Sequence, residues 1–217
     1  MSRNIKLVVF DLDGVITDTA VYHYKAWKKL ADEIGVFFDS KINEQLKGID
    51  RMASLEIILK KSEKSYSADE KNDLAARKNE YYKEFVEKMT PEDILPGVEN
   101  ALSQLKSHNI KTALASASKN AFTVIDKLKL RSYFDYIVDA KEIKKGKPDP
   151  EIFMTAAQRL DIPCTNSIGV EDAKAGIAAI KAAGMYAVGI GDRVMLSQAD
   201  DVISGMDKFN IEKYLSL

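Results

Sequence analysis

Val8-Val9-Phe10-Asp11-Leu12-Asp13-Gly14-Val15 is an apolar run that ends in two carboxylates two residues apart, with a glycine directly behind them. Such a run reads as a buried strand, and in an open α/β sheet ligands bind in the crevice outside the carboxyl ends of the strands. The two acids therefore leave the strand where chemistry is done. An aspartate carboxylate can attack phosphorus to give an acyl phosphate. A second acid nearby can protonate a leaving oxygen and later deprotonate an incoming one. The plain alternative is a strand-end turn in which Gly14 supplies a positive φ, and these eight residues leave both readings open.

Further β-rich runs follow at Ile110 to Ala115, Tyr136 to Val138, Ser167 to Val170 and Met185 to Ile190, separated by helical patterns. With Ile5 to Phe10 as the first strand, this alternation predicts a parallel sheet with crossover helices. Nearly a hundred residues separate the first two runs without a convincing strand, which predicts a helical insertion. Within it, Ala20, Tyr24, Trp27, Ala31 and Ile34 recur at helical spacing, with Thr19 as candidate N-cap and Gly35 just past the end. A second long helix is expected from Ser67 to about Met89, where Ser67 and Glu70 have capping-box spacing. Thr90-Pro91 closes the insertion, and Pro96 fits the first turn of the helix carrying Leu102 and Leu105. A helical cap over 17–92 and a sheet domain over 1–16 and 93–217 are the expected units.

A second acidic pair, Glu171-Asp172, follows Ser167-Ile168-Gly169-Val170 and precedes a small-residue helix from Ala173 to Ala183. If this strand lies beside the first, four carboxylates meet in one crevice, and without a cation they repel one another. Magnesium takes oxygen ligands and can neutralise phosphate charge, so it suits such a site. Glu171-Asp172 also suits the start of a helix, a role compatible with metal binding. Ala115-Ser116-Ala117-Ser118-Lys119-Asn120 ends a strand in hydroxyls and opens a helix whose free N–H groups suit a phosphate, with Ser116 as the obvious donor. Lys147, in the loop Lys147-Pro148-Asp149-Pro150, can reach the same phosphate as a flexible point charge, although a lysine in such a place is commonly just solvated.

The chain has 217 residues, 46% of them apolar, enough for a sizeable core. Thirty-two basic residues stand against 33 acidic ones, interspersed, which argues against nucleic-acid or membrane-surface binding. One cysteine, Cys164, excludes an internal disulfide, and the N-terminal apolar stretch from Leu7 to Phe10 is too short for a signal or a span. A cytoplasmic enzyme, working as a monomer, is the expectation. A phospho-acceptor receiver would have no use for an insertion of this size above Asp11.

Taken together, Asp11-Leu12-Asp13-Gly14, the Ser116 segment, Lys147-Pro148 and Glu171-Asp172 resemble the haloacid dehalogenase superfamily from end to end of the chain. Phe10 to Ala20, Asn43-Glu44-Gln45-Leu46-Lys47-Gly48, Arg77-Lys78-Asn79 and Leu114 to Asn120 are similar, more narrowly, to the β-phosphoglucomutase family. The resemblance implies a Rossmann-like α/β core with strand order 3-2-1-4-5 beneath a four-helix cap. It implies Asp11 as nucleophile and Asp13 as general acid/base. Magnesium would be held by Asp11, the Asp13 backbone carbonyl and Asp172, with Glu171 in support. Ser116 and Lys147 would hold the transferring phosphate, and Arg51, Ser118, Lys119 and Asn120 the distal one. Gly48 and Lys78 would face the sugar from the cap, while Thr19 and His23 position Asp13 as the cap closes. The implied reaction interconverts β-glucose 1-phosphate and glucose 6-phosphate through β-glucose 1,6-bisphosphate. The alternative is a magnesium-dependent phosphatase of small phosphorylated sugars or phosphoglycolate. Two residues depart from the pattern: Asp50 stands before Arg51 where a small polar residue is expected, and Ala173 follows Asp172 in place of serine.

Overall fold

The computed structural model describes residues 4–46 and 48–215; Lys47, part of one cap motif, lies outside the described residues. Six parallel strands form one sheet: β1 Leu7–Phe10, β2 Lys111–Leu114, β3 Tyr136–Ile137, β4 Ser167–Glu171, β5 Tyr186–Ile190 and β6 Asp201–Ile203. Their order is β3-β2-β1-β4-β5-β6. The expected order 3-2-1-4-5 holds and is extended by β6, a half-buried three-residue edge strand that begins with an aspartate. Its shortness and its polar first residue hid it from a reading based on apolar runs.

Each residue of β1 is buried, and successive side chains face opposite sides of the sheet. Val8 and Phe10 join one apolar layer with Ile168, Val170 and Leu102. Leu7 and Val9 join the other with Ile177, Ile180 and Ala156. Both faces are covered, which is why the strands read as unbroken apolar runs.

The insertion folds into four helices, α1 Ala20–Glu33, α2 Ser40–Glu44, α3 Arg51–Leu59 and α4 Ala68–Val86. Trp27, Leu30, Leu55, Ile58 and Leu74 make a third apolar core among them. Helix α1 closes as expected: Gly35 takes φ +68° and Val36 N–H donates to the Ala31 carbonyl at 2.8 Å, satisfying the last turn. The Ser67–Glu70 capping box of α4 is present, with both reciprocal bonds made, at 3.2 and 2.8 Å. Helix α4 stops at Val86, three residues short of the expected end.

The core continues with α5 Val98–Ser107, α6 Ala121–Lys127, α7 Glu151–Arg159, α8 Lys174–Ala182 and α9 Ile211–Leu215. Pro96 lies in the turn ahead of α5 and not in its first turn, because Gly97 holds the N-cap position. The two chain crossings between core and cap lie side by side. Thr17 bridges Ile94, its Oγ1 donates to the Asp93 carbonyl at 2.7 Å, and Leu95 N–H donates to the Ile16 carbonyl at 3.0 Å. No helix among the described residues is long and apolar enough to cross a membrane.

Gly169, in the middle of β4, lets α8 approach the sheet. A Cβ there would lie 2.5 Å from Ile180 Cγ1. Gly169→Ala should therefore destabilise the fold by about 1–3 kcal/mol through overpacking. Adding Ile180→Ala should relieve the clash, so that the double variant loses less than the two single losses combined by at least ~0.5 kcal/mol. Urea unfolding of the four proteins measures this, and strict additivity would refute the close-approach account.

Candidate active site

The site lies at the carboxyl ends of β1, β2 and β4, where the parallel register brings three motifs together. Phe10 is level with Leu114 on one side and with Val170 on the other. Asp11 N–H still donates to the Val170 carbonyl at 2.9 Å, so Asp11 and Glu171 leave the sheet as neighbours. The chain then turns sharply: Ile16 and Thr17 N–H both donate to the Leu12 carbonyl, at 2.9 and 3.1 Å. Gly14 makes this turn with φ +73°, and a Cβ on it would lie 2.2 Å from Asp172 Oδ2. The turn reading of Gly14 holds, and the same glycine makes room for the second acidic pair beside Asp11 and Asp13.

Asp11, Glu171 and Asp172 each offer a carboxylate oxygen within 4.8 Å of the others. Lys147 Nζ sits beneath them, 2.6 Å from Asp11 Oδ1 and 2.7 Å from Glu171 Oε2, with Lys147, Asp11 and Glu171 all buried. Burial alone would lower the lysine, but the two carboxylates more than reverse this and hold it protonated. Burial and the nearby Asp11 push Glu171 upward, against the pull of Lys147 and of the Ala173 N–H. The lysine at one of its oxygens and two backbone N–H groups at the other offset that push only in part. Three carboxyl groups thus gather around one ammonium, all of them hard oxygen donors. This set fits a hard divalent cation. The Asp13 carboxylate stands outside the three-acid cluster.

Asp13 instead turns toward the cap. Its Oδ1 accepts the Thr19 hydroxyl proton, and Thr19 Oγ1 in turn accepts from Tyr82 Oη at 3.1 Å. Thr19 occupies the N-cap position of α1, yet its side chain makes no cap bond, since it is committed to Asp13. Burial, then the charge of Asp11, raises Asp13 to about 7, partly offset by Thr19 and Lys147. A carboxyl that titrates near neutrality is suited to both giving and taking a proton.

Above the acids lies a cleft with about 840 Å³ of empty space, its open mouth included. Asp11, Asp13, Asp172, Ser116, Ser118 and Lys119 form its floor. His23, Trp27, Gly48, Arg51 and Lys78 form its roof, contributed by the cap. The loop from Ser116 to Asn120 is held by its own hydroxyls: Ser116 Oγ accepts from Ser118 N–H at 3.1 Å, and Ser118 Oγ from Asn120 N–H at 3.3 Å. Lys78 Nζ lies 2.7 Å from His23 Nδ1 and above the Trp27 and Tyr82 rings. Burial, then Arg51, lowers Lys78 to about 7, and burial, then Lys78 and Arg51, drives His23 well below its usual range. His23 is thus held as an uncharged ring with its Nδ1 facing the Lys78 amine.

All the residues expected from the sequence are gathered at this cleft or immediately behind it. The first of the two departures from the family pattern finds a use. Asp50 caps α3, its Oδ1 accepting from Met52 and Ala53 N–H at 2.8 and 3.1 Å. Ala173 is the N-cap of α8 and makes no side-chain cap bond, while Glu171 Oε1 accepts from the Asp172 and Ala173 N–H groups just ahead of the helix, at 3.2 and 3.1 Å. Trp27, Asn79 and Tyr82 were not assigned from the sequence. The signal existed, since Lys78 and Tyr82 are four apart on one helix with Asn79 between them, but their polar ends look like ordinary helix surface.

Comparison with known proteins agrees with this geometry. The haloacid dehalogenase-like hydrolase profile matches residues 5–184. The β-phosphoglucomutase of Bacillus subtilis is 49% identical over 210 residues, covering 96% of this chain and 93% of that protein. The crystal structure of β-phosphoglucomutase from Clostridium difficile superposes with a TM-score of 0.93 at 48% identity, covering 96% of this chain and 95% of the other. A phosphorylated carbohydrates phosphatase of Thermotoga maritima is 31% identical over 183 residues, 83% of this chain and 82% of that protein. The chain belongs to the haloacid dehalogenase-like hydrolases, and within them to the β-phosphoglucomutase family.

Proposed function

We propose that this enzyme interconverts β-glucose 1-phosphate and glucose 6-phosphate through β-glucose 1,6-bisphosphate. What supports the reading is a cleft beside which hydrogen-bond donors suited to phosphate fall into two groups: Ser116 and Lys147 near Asp11, and Ser118, Lys119 and Asn120 together with Arg51 of the cap. A mutase must grip both phosphates of its intermediate, whereas a phosphatase needs one grip and access for water.

In the forward direction phospho-Asp11 gives its phosphoryl group to the 6-hydroxyl of β-glucose 1-phosphate. The new O–P bond forms as the Asp11 acyl phosphate breaks, and Asp13 takes the hydroxyl proton. The bisphosphate then turns around between the two grips. Asp11 attacks the 1-phosphate, the C1 oxygen departs, and Asp13 returns the proton to it. Lys147 stays beside Asp11 throughout, and Ser116 donates to the moving phosphoryl oxygens. Magnesium would be held by Asp11, the Asp13 carbonyl and Asp172 with Glu171 in support, and when bound it neutralises phosphate charge. Thr19 and His23 align Asp13 and the sugar under the closed cap, and Gly48 and Lys78 face the sugar. We place the cap at 17–92 and the core at 1–16 and 93–217, a division supported by the paired crossings at Thr17 and Ile94. A monomer in the cytoplasm, acting on a small phosphorylated sugar without nucleic acid or membrane, completes the proposal.

Asp13→Asn should slow sugar turnover by roughly 10² or more, yet still allow phosphorylation of Asp11 by acetyl phosphate, whose leaving group needs no proton. Equal loss with both donors would remove Asp13 from the acid/base role. Asp11→Asn should abolish both reactions while leaving the fold intact. With magnesium and a trace of β-glucose 1,6-bisphosphate, wild-type enzyme should convert β-glucose 1-phosphate to glucose 6-phosphate far faster than it releases inorganic phosphate, as followed by phosphorus NMR. Inorganic phosphate as the main product would replace the mutase reading by the phosphatase one, the activity carried by the Thermotoga relative.

A further inference from the structure

One polar contact ties together three elements that meet over the cleft. Asn79 Oδ1, on α4, accepts from Arg51 Nη2 of α3 at 2.7 Å and from Asn120 Nδ2, at the start of α6, at 2.8 Å. The orientation of the amide follows from chemistry, since a guanidinium only donates and the atom facing it must be oxygen. Asn120 must then present its own nitrogen. Two donors converging on a single oxygen is the arrangement that both would offer to a phosphate oxygen. Asn79 thus occupies, with a neutral acceptor, the focus of the distal grip. It is also a direct side-chain bond from cap to core at that place.

We propose that Asn79 is a positioning residue that keeps Arg51 and Asn120 aimed at the distal phosphate and holds the cap over the phospho-aspartate, setting the partition between sugar and water as acceptors. This rests on the reading of Arg51 and Asn120 as the distal grip. The physical reasons are two. Arg51 has a long side chain whose rotamers must be ordered before a phosphate arrives, and a partner already holding it lowers that cost. A cap pinned to the core excludes water from the acyl phosphate between half-reactions. A neutral acceptor suits the task, because it can release both donors to an anion without repelling it.

The test compares Asn79→Ala, Asn79→Ser and Asn79→Asp with wild type, each checked for an unchanged melting temperature. Removing the acceptor in Asn79→Ala should raise KM for β-glucose 1-phosphate about tenfold, the scale of a lost pair of ordered contacts. It should also raise the share of inorganic phosphate among the products, with phosphorylation of Asp11 by acetyl phosphate within twofold of wild type, as this donor makes no use of the distal grip. Asn79→Ser, with a shorter acceptor, should fall between. Asn79→Asp keeps Arg51 anchored but repels the distal phosphate, so KM should rise further than in Asn79→Ala while hydrolysis of phospho-Asp11 does not increase. Wild-type KM and product ratio in folded Asn79→Ala would overturn the proposal, as would equal loss of the sugar and acetyl phosphate reactions, which marks a purely structural residue. Should wild type itself release mainly inorganic phosphate, the mutase reading fails separately, and the KM comparison on the same sugar phosphate still decides the role of Asn79.

Discussion

The buried ammonium of Lys147 lies between Asp11 and Glu171, and the floor of the site is arranged around it. Burying two carboxylates and an amine is costly, and breaking such a set by removing one member costs about 3–5 kcal/mol because a charge is left unpaired. The sheet meets that cost by placing β1 between β2 and β4 in strict parallel register. Asp11 and Glu171 then leave neighbouring strands at the same level, and the loop before α7 carries Lys147 across beneath them. Glu171 in turn accepts the first N–H groups ahead of α8. A Cβ on Gly176 would lie 2.0 Å from its carboxylate, so the first turn of α8 is built around that side chain. Charge pairing, helix start and strand order are here one constraint.

Over this floor the cap brings positive and neutral groups to face negative ones. Lys78 approaches from above over the Trp27 and Tyr82 rings, His23 stacks on Tyr82, and Arg51 joins them at the cleft. Burial weakens the hold of Lys78 on its proton and keeps His23 uncharged. In the roof Lys78 therefore holds its charge loosely beside the guanidinium of Arg51, while the floor keeps the Lys147 ammonium. The hydrogen-bond chain from Tyr82 through Thr19 to Asp13 links the two layers directly, so the orientation of the Asp13 carboxyl depends on where α4 lies.

Much of this was legible in the sequence because the core residues obey local rules. Apolar runs that end in acids mark β1 and β4; the Ser67–Glu70 spacing marks the start of α4, and Gly35 the end of α1. The order of the central strands came from the family resemblance and not from the runs themselves; it brings Asp11, Glu171 and Asp172 together as expected, while the Asp13 carboxylate turns away. The rest was hidden for physical reasons. Strand β6 is short and half exposed, so no apolar run announces it. Asp50 looked like a defect near a phosphate grip, because helix caps and ligand sites draw on the same side chains. Asn79 and Tyr82 act through partners far away in the chain, and helix periodicity cannot say which neighbouring element will meet a given face.

The paired crossings at Thr17 and Ile94 have a consequence for how such a molecule can change over time. The insertion enters and leaves the core at adjacent points, so its length hardly affects the entropy of closing the chain around it. A cap held in this way behaves as an interchangeable part. The phosphoryl chemistry of the floor can persist unaltered while the roof is enlarged, trimmed or replaced, and a new substrate preference can arise without reopening the problem of how the buried charges are balanced.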